Sequence, residues 1–138
     1  MQKLIIDTNV FVSSILQRSY PYLIVTELFN SREIQLCISD EVSLEYYDVL
    51  NRKKFAKYED FATKAQILLT KIQKKAIHFT PLIRVNLIKD IGDNKFLELA
   101  ETCRAEFLIT GNTNDFTMLE YKGTKIVTPK EYWESRKS

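Results

Sequence analysis

Glycine and proline are scarce in this chain, with three of each among 138 residues. So few breakers leave little room for linkers or disordered tracts, and the length suits one domain covering residues 1–138. Histidine is scarcer still. His78 is the only one, which excludes any catalytic unit that relies on a second histidine and leaves no Cys/His spacing for zinc. It sits in Ala76-Ile77-His78-Phe79-Thr80 and reads as a structural strand residue. The two cysteines, Cys37 and Cys103, lie far apart in sequence inside apolar segments. They read as buried thiols of a reducing compartment rather than a disulfide framework. No apolar run approaches the roughly 20 residues that cross a bilayer. Met1-Gln2-Lys3 leads straight into a strand pattern, without the longer apolar stretch of a signal peptide. The expectation is a cytoplasmic protein with no membrane partner. An excess of one charge is also missing. Twenty Lys and Arg face 18 Asp and Glu, for a net charge of +2, which excludes a general polyanion binder by composition.

What is present is enough apolar material for a core, at 45% hydrophobic and 12% aromatic residues. Strand-like runs recur at Leu4 to Ile6, Ile34 to Ile38, Ile77 to Phe79, Phe107 to Ile109 and Ile126 to Val127. Helical patterns fall between most of them: Val10 to Leu16, Pro21 to Phe29, Asp40 to Leu50 capped by Ser39, Asp60 to Ala76, and a helix capped by Asp90 running to Arg104. Thr128-Pro129-Lys130-Glu131 is a capping box that opens a last helix, to about Arg136. This alternation predicts an α/β fold, a single three-layer α/β/α domain on a central, mainly parallel sheet.

Four carboxylates stand out against that frame. Asp7 closes the first strand, at the end where open α/β sheets place ligands. A turn or cap aspartate is the other reading, and Thr8 and Asn9 either support a site or start the next helix. On the helix from Asp40, residues Val42, Tyr46, Val49 and Leu50 form the apolar stripe. Glu45 falls on its edge, while Glu41 and Asp48 fall further round. Asp93 precedes Phe96, Leu97 and Ala100 by three, four and seven residues and so shares their face, whereas Asn94, Lys95, Glu98 and Glu101 point elsewhere. The helix dipole alone also favours an acid near that helix start. Asp115 follows the strand Phe107 to Ile109 and a glycine turn, and a capping role is its alternative. If the fold gathers these acids, their repulsion is large. Two unit charges roughly 5 Å apart cost about 3 kcal/mol at an effective dielectric of 20. Mg²⁺ or Mn²⁺, which prefer carboxylates and water, would remove that cost.

Basic residues concentrate mid-chain, at Arg52, Lys53, Lys54, Lys57, Lys64, Lys71, Lys74 and Lys75. A solvated helix face and a phosphate-holding patch both fit them. Lys53, Lys54 and Lys57 are the candidates for contact with nucleic-acid phosphates.

In this order, the blocks Ile6-Asp7-Thr8-Asn9-Val10, the Glu45 helix, Asp93-Asn94-Lys95-Phe96-Leu97-Glu98-Leu99-Ala100 and Thr110-Gly111-Asn112-Thr113-Asn114-Asp115-Phe116 resemble the PIN domain family. The third and fourth blocks are the most specific and resemble the branch of VapBC-like toxin components. The resemblance covers Lys3 to Phe116 and implies a parallel-sheet α/β/α fold and an Mg²⁺- or Mn²⁺-dependent ribonuclease. It maps the family's acids onto Asp7, Glu45, Asp93 and Asp115, with Thr110 and Asn112 in support. It also implies an RNA substrate, a cognate antitoxin and a homodimer or higher oligomer. One departure is visible: Asp90-Ile91-Gly92-Asp93-Asn94 stands where that branch has Asp-Pro-Asp-Asp-Asn. The rival readings are a small-molecule metal-dependent phosphatase and a non-catalytic RNA-binding or regulatory PIN-like domain. An aspartyl-nucleophile phosphatase would need a second Asp two residues after Asp7, where Asn9 stands.

Overall fold

The structure, a computed structural model, describes residues 1–87, 93–111 and 119–137. β1 (Gln2–Ile6) lies between β2 (Ile34–Ile38) and β4 (Phe107–Ile109). β3 (Ile77–His78) extends the sheet beyond β2, while β6 (Thr124–Val127) and β5 (Glu120–Tyr121) extend it beyond β4. The order is β3-β2-β1-β4-β6-β5, and every pair is parallel except the β5–β6 hairpin. All five residues of β2 are buried, as are Leu4, Ile5 and Ile6. Such continuous burial needs cover on both sheet faces, which is why these strands read as apolar runs, interrupted only at Gln35, whose buried amide donates to the Lys75 carbonyl. Helices provide that cover: α1 (Thr8–Leu16), α2 (Tyr20–Asn30), α3 (Asp40–Leu50), α4 (Phe61–Lys75), α5 (Asn94–Cys103) and α6 (Pro129–Lys137). The result is the α/β/α arrangement that the sequence pattern predicts. β5 escapes that pattern because two residues carry no periodicity.

Local chemistry sets the helix ends. The Val42 N–H donates to Ser39 Oγ at 3.2 Å, capping α3. At α6, the Thr128 N–H donates to Glu131 and the Glu131 N–H to Thr128 Oγ1, at 2.8 and 3.1 Å, the reciprocal capping box. α5 starts later than expected, with Asp93 as the residue before its first turn. Asp90, the expected cap, lies outside the described residues.

α5 also corrects the prediction that Asn94, Lys95 and Glu98 turn away from the interior. Asn94 and Glu98 are buried, and Lys95 is mostly covered. One reason is the irregular segment 79–87, whose backbone N–H groups need acceptors. Glu98 takes the Val85 N–H at 3.0 Å and the Arg84 guanidinium at 3.2 Å, while Asn94 takes the Leu87 N–H at 3.1 Å. α5 is therefore covered on more than its apolar stripe. Cys37 and Cys103 meet across the β2–α5 contact as buried free thiols. Hydrogen bonding to Cys103, followed by burial, pushes the Cys37 thiol up.

Candidate functional site

The chain leaves β1 for β2 on one side and reaches β4 on the other, so the strand order reverses between β1 and β4. Ligands of open α/β sheets bind beyond the strand ends at such a point. The last paired residues there are Ile6 and Ile109, and the next on each strand are Asp7 and Thr110. The Asp7 N–H continues the ladder to the Ile109 carbonyl at 2.9 Å. Across the same pair, Thr110 Oγ1 donates to Asp7 Oδ2 at 2.6 Å. Asp7 is only 3% exposed. Burial is the main cause that raises its carboxyl above the ordinary aspartate range, and the charge of Glu45 raises it further. Thr110 and the N–H groups of Asn9 and Thr8 at the start of α1 act in the opposite sense, although the Asp7 side chain makes no cap hydrogen bond to α1.

Glu45 arrives from α3. It is half-buried, whereas Glu41 and Asp48 on the same helix are exposed, as the wheel geometry predicts. Its neighbour Tyr46 fixes the helix against the strand: the buried phenol donates to the Ile6 carbonyl, and its ring packs edge-on against Phe11 at 4.9 Å. Both carboxylate oxygens of Glu45 are engaged. Thr8 Oγ1 donates to Oε2, and Lys95 Nζ lies 2.7 Å from Oε1. Sequence reasoning missed Lys95 and the role of Tyr46 in holding α3 against β1. A signal for Lys95 did exist. A cation in the first turn of a helix opposes the macrodipole, so it calls for a nearby acid.

Asp7, Thr8, Glu45 and Thr110 thus stand together at one sheet edge. Asp93 is half-buried at the head of α5, the helix that brings Lys95 to Glu45. The Asn9 side chain is exposed, and its N–H is the part turned to Asp7. Asn112 and Asp115 lie outside the described residues. Lys53, Lys54 and Lys57 are exposed in and after a single 3₁₀ turn, Lys53–Phe55, that follows α3.

Among the described residues no group of three or more His, Cys, Asp and Glu side chains could hold a metal ion. The donor chemistry of the Asp7–Glu45 pair nevertheless fits a hard divalent cation. It offers oxygen only, and it contains a buried carboxyl whose charged form is disfavoured until a cation offsets the cost. A separate groove of 680 Å³ lies between α1, α2 and α4 and contains none of these site residues. Arg18, Lys64 and Lys71 line it over an apolar floor that includes Val25 and Leu68.

A family model described as PIN domain matches residues 3–114. The uncharacterized protein MJ1680 of Methanocaldococcus jannaschii is 26% identical over 141 residues, covering 96% of this chain and 90% of that protein. Among solved structures, the fold is similar to VapBC2 from Rickettsia felis, crystallised bound to a DNA fragment from its promoter. The TM-score is 0.57 at 18% identity, over 92% of this chain and 98% of that one.

Proposed function

The chain belongs to the PIN domain family, whose members are generally nucleases that use a divalent metal, and from that premise we propose that it is an Mg²⁺- or Mn²⁺-dependent endoribonuclease. The observation that carries this reading is the placement of buried Asp7 beside Glu45 at the β1–β4 reversal. Asp7, Glu45, Asp93 and Asp115 are the residues that would hold the metal. When bound, a divalent ion supplies a water of lowered pKa and neutralises charge on the phosphate. The protein's own part is placement. Thr110 orients Asp7, while Thr8 orients Glu45. Lys53, Lys54 and Lys57 hold the RNA backbone, since the acids themselves repel it. Asn112 is the further supporting residue that the family resemblance assigns.

The biological setting we propose is the cytoplasmic toxin half of a toxin–antitoxin pair. The Rickettsia felis neighbour is itself a VapBC2 complex, which favours a protein partner for this chain also, together with self-association. Light scattering at micromolar concentration checks the second point, and a clean monomer counts against it.

Cleavage of single-stranded RNA tests the activity, with and without a chelator and with Asp7→Asn alongside. Metal-dependent cleavage lost in the variant supports the assignment. Turnover of a small phosphate ester without RNA cleavage favours the phosphatase reading. RNA binding without turnover of either leaves a binding module.

A further inference from the structure

We infer that Lys95 is a stand-in cation for this site: its ammonium holds the Glu45 carboxylate when no divalent ion is present and yields that carboxylate when one binds. The inference rests on the proposed acidic metal site and adds a positioning residue to it.

The geometry separates Lys95 from an ordinary surface ion pair. Its side chain is 15% exposed and that of Glu45 23%, with 2.7 Å between Nζ and Oε1. The pair also joins two helices, α3 and α5, rather than neighbouring turns of one. Lys95 occupies the first turn of α5, where the dipole disfavours a cation, so the local acid accounts for its placement. Glu45 has no carboxylate oxygen left over. Oε2 accepts from Thr8 and Oε1 faces Lys95, so Glu45 can ligate a metal only by sharing or exchanging one partner. Thr8 sits on the first turn of α1 beside Asp7 and is buried. Lys95 ends a flexible four-carbon stem and is the exchangeable partner. Its charge also offsets part of the negative potential that Asp7 and Glu45 would present to an incoming cation, which holds metal affinity down.

The test is Mn²⁺ binding to the full chain, followed by electron paramagnetic resonance of the free ion, with thermal unfolding measured in parallel. Lys95→Met keeps the stem against Phe96, over whose ring the ammonium lies at 5.8 Å, and removes the charge. The expected result is Mn²⁺ binding on the order of tenfold tighter than wild type. The variant should also melt lower without metal and recover a larger part of its stability with it. Lys95→Arg keeps the charge and should bind within about twofold of wild type, less than the coupling usual between interacting sites. Lys95→Gln repeats the measurement should the methionine variant not fold. Unchanged or weaker Mn²⁺ binding in the neutral variants, with wild type binding normally, overturns the inference and leaves the metal site standing. Absence of Mn²⁺ binding in wild type, with Asp7→Asn indistinguishable from it, overturns both.

Discussion

Thr110 reaches Asp7 across the β1–β4 pair, hydroxyl to carboxylate, at 2.6 Å. The two residues are the first beyond the paired register on adjacent strands, so the sheet itself fixes how they face. This bond stabilises the charged form of a carboxyl that burial and Glu45 disfavour. The balance still falls on the side of a raised Asp7, and a bound divalent cation would relieve it.

Asp7→Asn follows from that balance. The folded-state carboxyl lies above its ordinary value of 3.8, so the folded protein holds the proton more tightly than the unfolded chain. Wild-type stability without metal therefore falls as pH rises from 3.8 through the folded value, and above that window the full cost of the buried charge is present. The variant lacks this titration. In chelator at neutral pH it should be the more stable protein, and the gap should close as pH falls through the window. Urea unfolding at a series of pH values measures this. A less stable variant at neutral pH would show that Asp7 serves mainly as a structural acceptor.

Tyr46→Phe tests the link between fold and site. The lost hydroxyl leaves the Ile6 carbonyl without that donor in a buried setting, at a cost of about 1–2 kcal/mol. Because Tyr46 adjoins Glu45, RNA cleavage should fall under conditions where the variant is fully folded. Stability loss with unchanged cleavage would confine Tyr46 to the core.

Much of this was legible in the sequence, for physical reasons that differ by residue. Leu4 to Ile6 and Ile34 to Ile38 are buried on both sides, so their apolar runs announce parallel strands. Glu45 could be singled out because α3 has one clean apolar stripe. The same wheel failed on α5. Segment 79–87 covers a second side of that helix, and no periodicity encodes a segment without regular structure. Asn94 and Glu98 consequently looked like surface residues, although both are buried acceptors for that segment. Lys95 was hidden for a different reason. Its partner lies on α3, and a contact between residues so distant in sequence depends on how the helices pack. Within the site, the placement of Asp7 beside Glu45 follows from strand and helix patterns, whereas the engagement of both Glu45 oxygens is a property of the tertiary fold.

Glu98→Ala probes that second side of α5. It removes acceptors from the Val85 N–H and from Arg84 in a buried position, and the expected cost is about 1–3 kcal/mol. Hydrogen exchange at the Val85 amide should quicken more than at amides of β1. Glu101→Ala is the control, because Glu101 is more exposed and meets Tyr121 and Lys122 instead. If both variants lose equal stability and the Val85 amide is unchanged, Glu98 does not hold the segment.

Charge reversal at Lys53, Lys54 and Lys57 together tests how the substrate is held. All three side chains are exposed, and none is within the Asp7–Glu45 pair. Lys54 and Lys57 lie over the rings of Phe55 and Tyr58 at 5.2 and 5.3 Å, which are contacts too weak and exposed to carry the fold. The triple variant should therefore unfold like wild type and bind Mn²⁺ with little change. Its RNA affinity should fall alike for sequences of different composition, because phosphate contacts carry little base information. Each lost contact to a single strand reduces the salt slope by about 0.7, so the plot of log affinity against log salt should flatten by about 2. Wild-type affinity and slope in the triple variant would make these lysines a solvated face, and the RNA path would then have to be sought among other basic residues.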